Sequence, residues 1–394
     1  MFFDVKAYIR FIRLFFFRSW RDVPFRMTPR RVCVFALCLF LFTVFELFTA
    51  VCMLLDNVFF PGYRRIRVDK PLFIVGPHRS GTTYLQQLIA RDESQFFCFK
   101  TWEIVFPSIL QKKVLAWCGR VDRKLGGRLE ARIRQREART LGAFRATRRS
   151  LFEPVEEDKL FVHTFSMPWL LWFLHPDEDL PAAVAFDERG TERERARTMR
   201  FYLACIKRQS YFAGGDRRFL SKAPVSCFRI RSLYRYFPGC RMIYTIRNPL
   251  EGVASMLDTG RSAGRAVGAL DHWDVYQGQF YEVIKEMYRY PLAQFEQADE
   301  RTYALIVHDD LLHNLNQTIR SVYEKFGYEL SPAFAAVLAE QDAKQRRFRS
   351  PHQYSLAEFG LDPERIRKDF GFVFERFSFG AGTAPAEPPG HGSN

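Results

Sequence analysis

The 394-residue chain contains no Cys-x-x-Cys pair. Its eight cysteines fall at irregular intervals, three of them (Cys33, Cys38, Cys52) inside one hydrophobic run, so neither a zinc site nor a disulfide framework is indicated. No RNA- or DNA-binding motif is present, which makes nucleic acid the weakest partner for a basic chain. Acidic side chains are in deficit, 44 Asp and Glu against 59 Lys and Arg. That imbalance predicts affinity for something anionic: a nucleotide, a membrane surface or a polyanionic substrate.

The hydrophobic run, Val32 to Leu55, carries a single ionisable side chain, Glu46. It is long enough to cross a bilayer core of about 30 Å, and it lacks the small-residue cleavage pattern of a signal peptide. Eight Lys or Arg precede it against Asp4 and Asp22, whereas four follow against two acids up to Lys70. If the run spans, the positive-inside rule leaves the amino terminus in the cytosol and the rest of the chain across the membrane. Two features oppose spanning. Glu46 is costly at the bilayer centre, and only about 15 residues separate Leu55 from the first core strand. The aromatic, basic stretch FIRLFFFRSW before it has the composition of an interfacial helix, so a monotopic anchor that leaves the rest of the chain cytosolic is the alternative.

The chain is organised around PLFIVGPHRSGTTYLQQL, Pro71 to Leu88. Leu72 to Val75 reads as a strand buried on both faces, and a helix is expected from Thr82, with Leu85, Leu88 and Ile89 on one face. Between them lie Gly76 and Gly81, the hydroxyls of Ser80, Thr82 and Thr83, and the charge of Arg79. Unpaired N–H groups at a helix start, the helix dipole and glycines that allow close approach make such a loop a phosphate cradle. The spacing nearly matches the triphosphate loop GxxxxGK[ST], but Thr82 stands where the lysine belongs and the cation lies three places earlier.

The segment PHRSGTTYL resembles the 5′-phosphosulfate loop of sulfotransferases, in which Lys or Arg precedes Ser-Gly-Thr-Thr. A second segment, MIYTIRNPLEGVAS, supports the resemblance: a buried strand, Met242 to Ile246, ends in Arg247, and Ser255 follows eight residues later. In the family that pair grips a 3′-phosphate, and the carboxyl end of a parallel strand is where ligands bind. A nucleotide hydrolase would place a magnesium-holding acid there; this chain has Arg247.

The resemblance covers about Pro71 to Phe377. It implies an α/β fold with a central, mainly parallel sheet flanked by helices, 3′-phosphoadenosine 5′-phosphosulfate as co-substrate, and no metal. Arg79, Ser80, Gly81, Thr82 and Thr83 would hold its 5′ half, and Arg247 and Ser255 its 3′ half. The acid run in EPVEEDKLF resembles a family stretch that borders the acceptor. Sulfuryl transfer to an alcohol needs a base, and Glu157 is the first choice for it, Glu156 the second. His163 competes, although a satisfied buried histidine is the simpler reading. Lys222, in the segment SKAP, also resembles a family position and is read as structural.

The remaining segments are less specific. Gln95 to Lys100 is expected to form a short strand, and Trp102 to Trp117 a helix interrupted by Pro107. Arg120 to Arg149 is basic and helical throughout, a solvated face or a contact for anionic headgroups or an acidic substrate. Met167 to Pro176 is an apolar patch suited to the core or to an acceptor pocket. Helices are expected from Glu192 to Gln209 and from Asp271 to Tyr290, and a strand from Tyr303 to Val307, followed by His308, Asp309 and Asp310 as turn and cap residues. The family's RKGxxG loop is absent, and Arg346, Arg347 and Arg349 are the candidates to substitute for it. Asp362 should cap a last helix with Ile366, Phe370, Val373, Phe374 and Phe377 inward.

The expected organisation is a membrane-associated segment over residues 1–70, a sulfotransferase domain over 71–379, and a disordered Gly-, Ala- and Pro-rich tail over 380–394. The acceptor would be a hydroxyl on a membrane-proximal lipid, sterol or glycan. A kinase or other nucleotide hydrolase, and a membrane-anchored nucleotide-binding scaffold without catalysis, are the competing readings.

Overall fold

A computed structural model describes residues 3–13, 29–140, 150–165, 185–267, 273–346 and 356–379. Five parallel strands form one sheet in the order β2-β3-β1-β4-β5: β1 (Leu72–Val75), β2 (Phe96–Phe97), β3 (Arg218–Lys222), β4 (Arg241–Ile246) and β5 (Tyr303–Val307). All four residues of β1 are fully buried. Phe73 and Val75 enter one core and Leu72 and Ile74 the other, as the two-residue period of a strand requires when both faces are covered. Burial of such side chains stabilises the fold by roughly 1.5–3 kcal/mol each. Parallel pairing demands long crossovers, which the flanking helices supply.

The chain leaves β1 through helix α3 (Thr82–Ile89) towards β2 and β3, then crosses to β4 and β5 on the other side of β1. Such a reversal opens a crevice at the carboxyl ends of the strands. The loop after β1, Lys222 at the end of β3, Arg247 just after β4 and His308 just after β5 therefore share one edge of the sheet.

Several expectations are met: β1, α3, β4, β5, the helices Glu192–Ala213 and Trp273–Phe295, and the break at Pro107 between α4 (Thr101–Val105) and α5 (Ile109–Lys124); a further helix, Pro249–Val267, follows β4. Four need correction. The second strand shrinks to Phe96–Phe97 because it pairs on one side only, with β3. β3 itself was not anticipated: a five-residue strand ending on a lysine offers too little apolar pattern to mark it. The basic stretch breaks at Gly126 and Gly127, both at positive φ, before α6 (Arg128–Thr140). The last helix, capped by Asp362 as expected, stops at Asp369 and restarts as Gly371–Phe374, keeping Ile366, Phe370 and Val373 buried. Residues 141–149, the apolar patch Met167 to Pro176, Arg347, Arg349 and the tail from 380 lie outside the described residues. Arg346 pairs with Asp342 in its own turn.

Two helices precede the domain, α1 (Val5–Arg13) and α2 (Pro29–Phe59). Residues Val32–Phe59 of α2 are long and apolar enough to cross a membrane.

Candidate active site

The loop after β1 has the geometry of an anion cradle. Gly76 admits no side chain, since a Cβ there would meet Thr245 Oγ1 at 2.5 Å and the Thr245 carbonyl at 2.6 Å. Gly81 precedes α3 in the left-handed conformation, φ +86°, wedged against Leu311 and His308. Arg79 is also left-handed at φ +66°, a conformation that costs a non-glycine residue energy and is concentrated at functional sites. No side chain caps α3, which leaves the N–H groups of its first turn directed at the crevice. Ser80 is turned inward. Its hydroxyl donates to the Pro77 carbonyl at 2.7 Å and pairs with Thr245 Oγ1 at 2.6 Å, tying the loop to β4.

The second expected half meets the first across the sheet. Arg79 Nε donates to Ser255 Oγ at 3.2 Å, and Arg247 Nη1 donates to the Arg79 carbonyl at 3.3 Å. Arg247 is oriented by Glu251 one turn away, with its Nη2 2.8 Å from the carboxylate. Ser255 is fully buried in the second turn of Pro249–Val267. Residues 168 and 176 positions apart thus converge on one cleft.

The third component comes from β3. Lys222 is only 1% exposed, yet its ammonium donates to Thr83 Oγ1 at 3.0 Å and forms an ion pair with Glu156. A buried lysine is expensive unless paired, and the Glu156 carboxylate supplies the pairing here. Sequence reading placed Lys222 near the family pattern but missed that it points into the cleft; the alternation along FLSK was the available signal. His78, on the loop, sits near Glu156, Lys222 and Arg79. Burial holds it down at about 4, so it is neutral at physiological pH.

The three consecutive acids separate by environment. Glu157 is fully buried and accepts from the Lys222 N–H at 2.8 Å and the Ser221 hydroxyl at 3.1 Å. Burial pushes its carboxyl well above the usual range, and its other oxygen is buried without a hydrogen-bond partner. Glu156 is on the opposite side, paired with Lys222 beside Thr83. Asp158 is pushed up to about 6, first by burial and then by the Glu156 charge, with Lys222 pulling it back. The structure therefore brings Glu156 to the loop, and it sets Glu157 behind β3.

His163 is removed from the competition. Its Nδ1 lies 3.0 Å from the Glu46 carboxylate and its Nε2 2.9 Å from the Ile104 carbonyl. His308 packs against Gly81, and Asp309 and Asp310 open the following helix. Among the described residues no cluster of His, Cys, Asp or Glu is arranged to hold a metal ion.

A family model described as the sulfotransferase family matches residues 71–332. Among solved structures, sulfotransferase STF9 from Mycobacterium avium superposes with a TM-score of 0.63 at 18% identity, covering 83% of this chain and 82% of its own. Sulfotransferase STF1 from Mycobacterium tuberculosis H37Rv gives 0.61 at 16% identity, covering 83% of each chain. At those identities the structural likeness establishes the fold. No curated protein matches the sequence.

Proposed function

The chain belongs to the sulfotransferase family, and from that premise we propose that it moves the sulfuryl group of 3′-phosphoadenosine 5′-phosphosulfate to a hydroxyl of a membrane-proximal lipid, sterol or glycan. One observation carries the donor assignment: the loop cation Arg79 touches Ser255 and, through its carbonyl, Arg247. Contact between the residues read as donors for a 5′-phosphosulfate and those read as donors for a separate 3′-phosphate supports one site for both groups, an arrangement that a triphosphate would not need.

The reaction is an in-line displacement. The acceptor oxygen attacks sulfur while the bond from sulfur to the bridging oxygen breaks, and the nucleotide leaves as the 3′,5′-bisphosphate. Charge grows on the bridging oxygen, where Arg79, Lys222 and the first-turn N–H groups of α3 stabilise it. Thr82, Thr83, Gly81 and the backbone of Ser80 hold the 5′ half; Arg247 and Ser255 hold the 3′ half. The acceptor proton passes to Glu156, the carboxylate that faces the loop. Glu157 supports the end of β3 from behind, through the Lys222 N–H and the Ser221 hydroxyl.

Two measurements test this reading. Calorimetry should show 3′,5′-bisphosphate binding without magnesium and no comparable binding of a magnesium triphosphate. The reverse preference would make the chain a kinase or nucleotide hydrolase. Incubating membranes with labelled donor and identifying the labelled product by mass spectrometry would name the acceptor. Absence of transfer to every acceptor, with bisphosphate binding intact, would leave the non-catalytic scaffold.

A further inference from the structure

Helix α2 is inside out for a helix packed on a globular domain. Positions 39, 42, 46, 49, 53 and 56 recur at intervals of three and four, one stripe of the helix, and this stripe is the one turned towards the domain. It carries the polar residues. Glu46 pairs with His163, and Thr49 Oγ1 accepts from Gln111 Nε2 at 3.2 Å. Asp56 is fully buried; it accepts from Arg208 Nε at 2.9 Å, Ser108 Oγ at 2.8 Å and the Ile109 and Leu110 N–H groups at the start of α5. The opposite stripe is entirely apolar and open. Leu37, Leu41, Val44, Phe48, Val51 and Leu54 are between 48% and 66% exposed.

We propose that α2 lies flat in the interface of an anionic phospholipid bilayer, held side-on by the catalytic domain, so that the chain is monotopic and both its termini stay on one side of the membrane. The clamp runs from Phe42, against Phe165, to Asp56, about 21 Å at the rise of an α-helix. Crossing the membrane with that segment would strip Glu46 and Asp56 from their partners, at the cost of buried, unpaired charge in hydrocarbon. The part of α2 beyond the clamp, Pro29 to Leu41, spans only about 20 Å, too short for a core of about 30 Å. It is itself engaged by α1, where Phe11 packs on Phe35 with ring centroids 5.5 Å apart; α1 also reaches the start of the clamp, where Tyr8 bonds Thr43 at 2.6 Å.

Charge complementarity selects the bilayer as the occupant. Arg10 and Arg13 end α1, Arg30 opens α2, and α5, packed beside α2, adds exposed Val114, Leu115 and Trp117 before its basic end at Arg123 and Lys124. Exposed apolar side chains, a tryptophan among them, with Lys and Arg on the helices packed beside them, suit the boundary between acyl chains and anionic headgroups. This placement does not depend on the identity of the nucleotide donor.

The test uses the full chain with a different epitope tag at each terminus, expressed into sealed microsomes and treated with protease. Loss of both tags together is expected; protection of one tag overturns the proposal in favour of a span. In parallel, purified protein is floated with vesicles of phosphatidylcholine, with and without phosphatidylserine. Binding should be stronger with phosphatidylserine and should fall by at least about tenfold in Leu41→Ser/Val44→Ser/Phe48→Ser, whose altered side chains face away from the domain. If the triple variant floats like the parent, or if the parent is a lipid-independent dimer that the variant converts to a monomer, the outward face serves another role and the proposal fails.

Discussion

Lys222 Nζ lies 3.0 Å from Thr83 Oγ1, joining the end of β3 to the first turn of the helix that follows the loop. With Arg79 this gives the cleft two cations near the expected leaving oxygen. Lys222→Met removes the charge and keeps most of the volume. Its expected result is a fall in kcat of about 10²–10³, the usual cost of losing one preorganised donor. Affinity for the 3′,5′-bisphosphate should fall by less than about tenfold, since Arg247 and Ser255 remain. Parallel loss of both would recast Lys222 as a general nucleotide ligand.

The two adjacent glutamates should respond oppositely to amide substitution. Glu156→Gln removes the proton acceptor, and single-turnover rates should drop by about 10²–10⁴ with the bisphosphate affinity nearly unchanged. Glu157→Gln keeps the shape of a side chain that accepts from the Lys222 N–H and the Ser221 hydroxyl behind β3, so the rate should change by less than about tenfold. A large loss from Glu157→Gln with a fully active Glu156→Gln would restore Glu157 as the base.

Much of this was legible in the residues, and the gaps have physical reasons. β1, the loop and β4 are readable because fully buried parallel strands leave unbroken apolar runs, and because glycine and arginine at fixed spacing announce an anion. β3 was hidden by its length and terminal lysine. Glu156 and Glu157 are neighbours in sequence with identical side chains, and only the turn of the chain decides that one faces Lys222 Nζ while the other accepts the Lys222 N–H. The polar stripe of α2 was visible in sequence only as Glu46, whose cost to a membrane span was clear and whose partner, His163, lies 117 residues away.

Glu157 also predicts a pH dependence of stability. Its carboxyl titrates near 4.5 when exposed and well above that in the fold. Between the two values the folded chain holds a proton that the unfolded chain has released, so this group makes stability fall as pH rises above about 4.5. His78, held down at about 4, acts in the opposite sense below its ordinary value of 6.5. The clean comparison is therefore the melting temperature of the parent against Glu157→Gln from pH 5 to pH 8. The variant should gain on the parent as pH rises; a constant difference would show that Glu157 ionises normally.

The contact of Arg79 with Ser255 bears on whether the two phosphate grips act as one. Arg79 Nε reaches Ser255 Oγ at 3.2 Å while the Arg79 carbonyl receives Arg247. A donor that fills both ends would then bind a preconnected site, and each substitution would disturb the other's surroundings. In a cycle of Arg79→Ala, Ser255→Ala and the double variant, bisphosphate binding should show a coupling energy of about 0.5–3 kcal/mol, as expected for side chains in one hydrogen-bonded network. Once Arg79 is gone, Ser255 has lost the partner that orients its hydroxyl, so its removal should cost less than in the parent. Strict additivity would mean that the halves recognise their phosphates independently, and the contact of Arg79 with Ser255 would then be an accident of packing.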